Sequence, residues 1–413
     1  MLFSKEEYKQ RLDKVKKMMQ EKGIDLLISH DTNNMNYLTG YDAWSFYYAQ
    51  CAIVHIDAEE PLCFVRAQDA GGAYIKTYLK NESVLVYDEN YIHKWPKHPY
   101  DNLVEIIKEK NWDKLSIGVE MDAHYFTAFC YEKLKQGLPN AKIKDSDRLV
   151  NWARLVKSDT EINFMKSAAK ISELGMKTAM EVIKPGVRQC DAVGEIQKTL
   201  FYGTEEFGGE YSSIATLLPT GKGTSASHLT ATQDKFVEGE ATIVELSGVY
   251  KRYHAPMART VLLGKPNQLK IDTMNKTIEA LNAGISVIKP GNTADDVAQE
   301  FWKVLDKYGI EKKSRTGYSI GIGYPPDWGE HTLNIYKGDM TVLEPNVCFH
   351  MIAVMQFGEW GVEASESVRV TETGSELFCN LSKKFSAVVA VNPIVYKTIL
   401  FFFIFFLITC FFS

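Results

Sequence analysis

Four stretches of the 413-residue chain concentrate side chains that can do chemistry. Residues 219–230 read Pro-Thr-Gly-Lys-Gly-Thr-Ser-Ala-Ser-His-Leu-Thr and carry His228. Residues 245–260 read Glu-Leu-Ser-Gly-Val-Tyr-Lys-Arg-Tyr-His-Ala-Pro-Met-Ala-Arg-Thr. Residues 315–330 read Arg-Thr-Gly-Tyr-Ser-Ile-Gly-Ile-Gly-Tyr-Pro-Pro-Asp-Trp-Gly-Glu, and residues 363–368 read Glu-Ala-Ser-Glu-Ser-Val. A carboxylate matches a guanidinium or amidinium with two parallel hydrogen bonds, and it can attack carbon as a nucleophile. A neutral imidazole is the natural base for activating water near pH 7. Tryptophan and tyrosine faces attract a cation, each contact worth roughly 0.5–2 kcal/mol. Pro256 offers no side-chain donor and cannot ligate a metal.

These stretches need elements to hold them. Residues 4–23 predict an amphipathic helix, with Tyr8, Leu12, Val15, Met18 and Met19 at helical spacing and Gly23 as a stop. Residues 24–29 predict a buried strand, 52–56 and 62–65 a hairpin joined by 57–61, and 83–87 and 115–120 further strands flanking a helix near 100–110. Strands alternating with helices imply an α/β domain. Residues 154–192 are strongly helical in pattern, with helix-start chemistry at Ser158-Asp-Thr-Glu161. An internal repeat follows. Ile183-Lys-Pro-Gly186 with Asp191 recurs as Ile288-Lys-Pro-Gly291 with Asp296. Each copy lies between two helices (165–182 and 191–200; 271–287 and 294–308), and each is followed by a region of strands (211–263; 318–370). Two such halves imply a duplicated α+β unit with a pseudo-twofold axis.

This organisation and the quoted stretches resemble the pita-bread hydrolases, the superfamily of methionine aminopeptidase, prolidase and creatinase, over about residues 5–385. The resemblance implies an α/β creatinase-like N-terminal domain, residues 1–150, and an α+β pita-bread catalytic domain, residues 151–385, with its site between the duplicated halves. Metal-using members hold a pair of divalent ions on five ligands. Carried over position by position, the first acid falls on Glu245, the second on Pro256, the histidine on Tyr318, the next glutamate on Ile352 and the last on Glu366. Glu344 aligns with the turn before the fourth motif and is not a ligand. Divalent ions need several converging oxygen or nitrogen donors, so the resemblance implies no metal and no cofactor. His228 matches a histidine that shuttles protons in metal-free, creatinase-like members. Glu245 and Glu366 are expected to face each other and receive a planar cation. Tyr318, at a lost ligand position, is expected to donate through its hydroxyl, and His350 either contacts substrate or packs. Arg259 is expected to pair with acids near the sheet.

Within that superfamily, residues 34–48, 225–230, 250–260 and 315–330 resemble the ectoine hydrolases. This implies opening of ectoine, a cyclic amidine carrying a carboxylate, to N-acetyl-2,4-diaminobutyrate. Trp44, Tyr48 and Trp328 are expected to box the amidinium, and the proline-fixed loop of Trp328 also carries Asp327 as a substrate-binding candidate. The resemblance also implies a homodimer whose pocket is completed across the interface. The alternatives are creatine hydrolysis, an Xaa-Pro peptidase and a non-catalytic binding module. Pro256 and Ile352 oppose the peptidase; the retained His228, Glu245 and Glu366 oppose the binding module.

The bulk numbers agree with an enzyme of small molecules. With 45% hydrophobic and 24% charged residues the chain can build sizeable cores, and a net charge of −5 without a basic stripe excludes general nucleic-acid binding. Seven scattered cysteines with no Cys-x-x-Cys fit free thiols in a reducing, cytoplasmic compartment. The N-terminus shows no apolar signal region. Residues 386–413 form an apolar tail, and its last 20 residues are interrupted by Lys397. That is the minimum length for a spanning helix, so the tail reads as a marginal membrane anchor or as an appendage outside the evolved domain.

Overall fold

The computed structural model describes residues 2–265, 267–383 and 386–388, so the apolar tail discussed above, apart from 386–388, lies outside the described residues. The first helix, Lys5–Glu21, starts where the Ser4 hydroxyl accepts the Glu7 N–H at 3.1 Å, and it buries Tyr8, Leu12, Val15 and Met19. Gly23, at φ +59°, turns the chain out of it into the first strand. The N-terminal sheet is built from β1 (Leu26–Ser29), β2 (Cys51–His55), β3 (Leu62–Arg66), β4 (Val84–Tyr87), β5 (Ser116–Val119) and β6 (Lys142–Asp145). Its order is β4-β3-β2-β1-β5-β6, with β1–β2 and β2–β3 antiparallel and the remaining neighbours parallel.

One helix was not expected from the sequence. Thr32–Thr39 contains three asparagines and two threonines, all weak helix formers. Asp31 caps its start and Gly40, left-handed at φ +78°, ends it, yet all eight residues are buried. Tertiary hydrogen bonds override propensity here: Asn34 Nδ2 donates to Glu120 and to Asn151, and Asn36 Nδ2 donates to Tyr324 Oη at 3.0 Å. The helical pattern over 154–192 divides, as expected, at the Lys-Pro-Gly copy that separates helices 165–182 and 191–200. A helix spans Asp159–Val182, opened by a capping box between Ser158 and Glu161, and a second begins at Gln189. Pro185-Gly186 breaks the run between them.

The second sheet contains β7 (Ala241–Tyr250), β8 (Tyr253–Leu263), β9 (Gly317–Tyr324), β10 (Asp327–Asn334), β11 (Cys348–Phe357) and β12 (Trp360–Val370). Its path runs β10-β9-β11-β12-β8, β7 pairs with β8, and Ser386–Val388 lies parallel beside β8. Two hairpins, β7–β8 and β11–β12, form the centre of the duplicated halves. They meet at one bridging pair, Ala258↔Ser365. Beyond it Pro256 has no N–H to give, and the Ser367 hydroxyl donates to its carbonyl at 2.7 Å.

The repeat has a structural counterpart. Gly186 and Gly291 adopt the same left-handed backbone, φ +88° and +86°. Each donates its N–H to a carbonyl in the following strand region, Phe236 and Leu343 respectively. The helix Asp159–Val182 packs on β7 and β8; the helix Gln268–Ser286 packs on β11 and β12. Contact in the first half is close enough that a Cβ at Gly248 would lie 2.3 Å from the Ala168 carbonyl oxygen. Separate apolar cores fill the two halves, one around Ile171, Leu246 and Met257, the other around Phe301, Phe349 and Val362.

A buried polar network joins the N-terminal sheet to the second. Glu330 accepts from Arg154 at 3.2 Å and Lys157 at 2.6 Å, all three side chains being about 1% exposed. Arg154 Nε donates onward to Asn34 at 2.9 Å. Removing one partner of a buried ion pair typically costs about 3–5 kcal/mol, because the remaining charge is left uncompensated. Glu330→Gln is therefore expected to lower unfolding stability by about that amount, read from urea denaturation. A loss under about 1 kcal/mol would show that the network contributes little.

Candidate active site

The register of the central strands decides which side chains meet. Glu245 pairs with Ala258, Ala258 with Ser365, and Ser365 with Ile352, forming one row across four strands. The next row holds Ile243 and Thr260 on one hairpin, Glu363 and Val354 on the other. The row on the opposite side holds Ser247 and Pro256, then Ser367, His350 and Tyr318. Directly paired residues project to the same face, and residues two apart share it. All three rows therefore line one face.

Over that face lies a cavity of about 220 Å³. Glu245, Glu363, Ile243, Ile352, Val354 and, on β9, Tyr318 form its sheet side; Pro219 and Ala226–His228 close it from one loop, and Ser314 and Arg315 from another. His228 is solvent-exposed at this wall and holds a left-handed backbone, φ +65°. His228, Glu245 and Tyr318, drawn from three separate stretches of the chain, are thus brought together.

Glu366 is not among them. It projects to the opposite face, fully buried, where Arg259 Nη2 donates to its Oε1 at 2.6 Å and Lys383 lies 3.7 Å away. The expected facing of Glu245 and Glu366 is corrected by the pleat: β12 alternates, so position 363 shares a face with 365, and 366 cannot. The acid opposite Glu245 is Glu363. The signal was present in the sequence, since 363 and 366 differ by an odd number and only one of them can face the site. Arg259 also donates to the Ser365, Leu381 and Ser382 carbonyls and ties this opposite face together.

The aromatic box also takes a different form. Trp328 is fully buried and outside the cavity wall; its Nε1–H donates to the Tyr318 hydroxyl at 2.8 Å. His350 is likewise buried, with Nδ1 3.3 Å from Tyr318 Oη and Nε2 2.6 Å from Ser365 Oγ. An indole N–H only donates, so the Tyr318 oxygen accepts from it and its own proton goes to His350 Nδ1. That leaves the His350 Nε2–H to donate to Ser365. Burial first, and then the Arg315 charge, hold the His350 pKa down at about 3, so the ring is neutral. Trp328 and His350 therefore position Tyr318 and Ser365 rather than touching the cavity. Asp327 is paired with His331 at 2.8 Å, away from the cavity. Trp44 is 56% exposed and packs on Phe46 and Tyr211; Tyr48 stacks under the Arg66 guanidinium at 3.8 Å. Neither lines this chain's own cavity.

Arg315 is the cavity residue, besides Glu363, that sequence reasoning did not single out. Its guanidinium sits 4.4 Å from the centre of the Tyr318 ring and donates to Asn334. Its position three residues before Tyr318 was the available signal.

Electrostatics couple the two acids. Burial raises the Glu245 carboxyl to about 7. Glu363 is raised well above the ordinary carboxylate range too, by burial and then by the negative charge of Glu245, against the pull of Lys312. Burial also lowers Lys312 to about 8. Both carboxyls are thus raised toward neutral pH and titrate as a pair, so the pair can give up and take a proton on the same cavity floor. A two-ion metal site needs more. Around the two acids this face presents Ala258, Ile352, Val354 and Pro256, which have no side-chain donor, while the Thr260 hydroxyl is spent on the Glu363 carbonyl and the Ser365 hydroxyl on His350, so the donor set does not fit a pair of divalent ions.

Comparison with known proteins agrees with this architecture. Residues 11–156 match the creatinase/prolidase N-terminal domain, and residues 163–372 match metallopeptidase family M24. The chain is 40% identical over 389 residues to the ectoine hydrolase of Halomonas elongata, covering 92% of this chain and 97% of that one. It is 39% identical to an uncharacterized hydrolase/peptidase, y4tM, of Sinorhizobium fredii, covering 91% and 95%. A prolidase structure from Thermococcus sibiricus superposes with a TM-score of 0.80 at 18% identity, covering 92% of this chain and 99% of that one. The pita-bread fold expected from the sequence is the fold found.

The carboxyl pair gives a pH signature. A carboxyl whose folded pKa exceeds its unfolded value binds its proton more tightly when folded. The stability it contributes is complete below the ordinary value of 4.5 and is lost as pH rises through about 7 and beyond. Glu363→Gln, neutral at every pH, is expected to raise the urea midpoint above pH 7 and to change it little near pH 4.5. An equal shift at both pH values would show that Glu363 is not held protonated.

Proposed function

This chain belongs to metallopeptidase family M24, behind a creatinase/prolidase N-terminal domain, and from that premise we propose that it hydrolyses ectoine without a metal ion, opening the cyclic amidine to N-acetyl-2,4-diaminobutyrate. One observation carries the reading: the cavity sets two carboxyls, half-buried Glu245 and buried Glu363, against the guanidinium of Arg315. Ectoine is a zwitterion with an amidinium and a carboxylate. The acids suit the amidinium, through paired N–H···O bonds to Glu245, and Arg315 suits the carboxylate. The 40% identity to the Halomonas elongata enzyme over nearly the whole chain supports the same substrate.

In this reading His228 accepts the proton of the water that adds to the amidine carbon. The carbon–nitrogen bond of the ring then breaks, and protonated Glu363 delivers a proton to the leaving nitrogen. Attack by the Glu245 carboxylate itself, followed by hydrolysis of the resulting acyl group, uses the same residues. Tyr318, held by Trp328 and His350, forms the wall beside the reacting centre. The protein acts in the cytoplasm as a homodimer, and the exposed Trp44 together with Tyr48 closes the partner's pocket; Asp327 remains outside. Among the described residues no helix is long and apolar enough to cross a membrane.

Proton NMR of ectoine incubated with chelator-treated protein is the direct test. Conversion to an acetylated diaminobutyrate is the expected result. Unchanged ectoine from folded protein, together with metal-stimulated cleavage of an Xaa-Pro dipeptide, would replace this reading with the peptidase activity usual in the family. Glu245→Gln and His228→Ala are each expected to abolish turnover while leaving the circular dichroism spectrum intact. Arg315→Ala is expected to raise KM for ectoine roughly ten- to a hundredfold, the loss of a charge-assisted hydrogen bond of about 1.5–3 kcal/mol.

A further inference from the structure

Away from the cavity, His124, Asp327 and His331 converge where the N-terminal sheet meets β10. Their ligand atoms all lie within 4.8 Å of one another. His331 Nε2 is 2.8 Å from Asp327 Oδ2, and the His124 and His331 rings stand edge to face at 5.6 Å between centroids. We propose that these three side chains bind one divalent transition-metal ion of the zinc class, at a site separate from the cavity of Glu245 and Glu363.

The donor set carries the assignment. Two imidazoles and one carboxylate are the nitrogen and oxygen ligands that zinc takes in three-ligand sites, with a fourth position left to water. The three side chains line a small recess of about 10 Å³ with Tyr125, on the scale of one water in that fourth position. The ligands are held from behind. The Gly329 N–H donates to Asp327 Oδ1, Arg148 donates to the His331 carbonyl, and Arg148 is itself paired with Asp122. Such outer contacts orient metal ligands. His331 sits at φ +56°, in the part of β10 where pairing with β9 is irregular, a conformation that a non-glycine residue adopts only when its surroundings hold it there. His124 comes from the turn after β5, so a bound ion would tie the N-terminal unit to the strand that begins with Asp327. Metal found in the purified protein would then report on this site and not on the catalytic face.

The test uses the full chain stripped with chelator and titrated with Co²⁺, read by visible absorption, and with Zn²⁺, read by calorimetry. One ion is expected to bind, with affinity reduced at least tenfold in His331→Ala and in His124→Gln, the latter at an exposed position that does not endanger folding. Binding is expected to be unchanged in the double variant Glu245→Gln/Glu363→Gln. Absence of binding at millimolar metal, binding that survives His124→Gln, or binding lost with the two glutamates would each overturn the proposal.

Discussion

The alternation of side chains along β12, locked by its pairing with β8 and β11, is the constraint on which the site depends. Ala258↔Ser365 is the bridging pair between β8 and β12 and so sets the register of one half against the other. From that contact it follows that Glu363 joins Glu245 and that Glu366 turns to Arg259. A slip of one residue would reverse the two acids and place an ion pair in the cavity and an unpaired acid in the core. The Pro256 carbonyl bonded to Ser367 and the Arg259 guanidinium bonded to the Ser365 carbonyl hold the register on its two faces.

Two carboxyls facing one small cavity, Glu363 buried and Glu245 half-buried, are unstable as a pair of charges. Like charges close together in a low-dielectric site cannot both ionise near neutral pH. The protein keeps the arrangement by packing apolar Ile243, Ile352 and Val354 around the acids and setting Lys312 near Glu363. The resulting pair holds protons up to the neutral range, where an isolated carboxyl would have lost its own. Opposite them, Tyr318 is fixed by a directional chain in which Trp328 can only donate, so every proton from Trp328 to Ser365 has one arrangement.

The same logic of buried polar groups joins the two sheets. Glu330 follows Trp328 by two residues, so the strand that buttresses Tyr318 also anchors to Arg154 and Lys157. Arg154 reaches Asn34 in the buried helix Thr32–Thr39, and Asn34 reaches Glu120. The N-terminal unit is therefore tied by hydrogen bonds to β10, the strand that carries Trp328 against the wall of the cavity.

Local chemistry was enough to read much of this from the sequence. The helix starting at Ser4, the capping box at Ser158, the hairpin of β2 and β3, and the duplicated Lys-Pro-Gly turns follow from side-chain spacing and from the conformations glycine and proline allow. His228, Glu245 and Tyr318, and the loss of donors at Pro256 and Ile352, came instead from the resemblance to the pita-bread hydrolases. Tertiary structure alone decided the rest. Glu363 and Glu366 lie three residues apart and look equivalent on paper; only the bridge to Ala258 shows which one faces Glu245. Trp328 reads as a substrate contact because an aromatic face suits a cation, and His350 as either a contact or a packing residue; the fold buries both and gives each a partner in Tyr318. The helix at Thr32 was invisible because its stability comes from hydrogen bonds to residues some 86 to 288 positions away. Spacing along a chain encodes local periodicity, whereas which face meets which is set by register between distant strands.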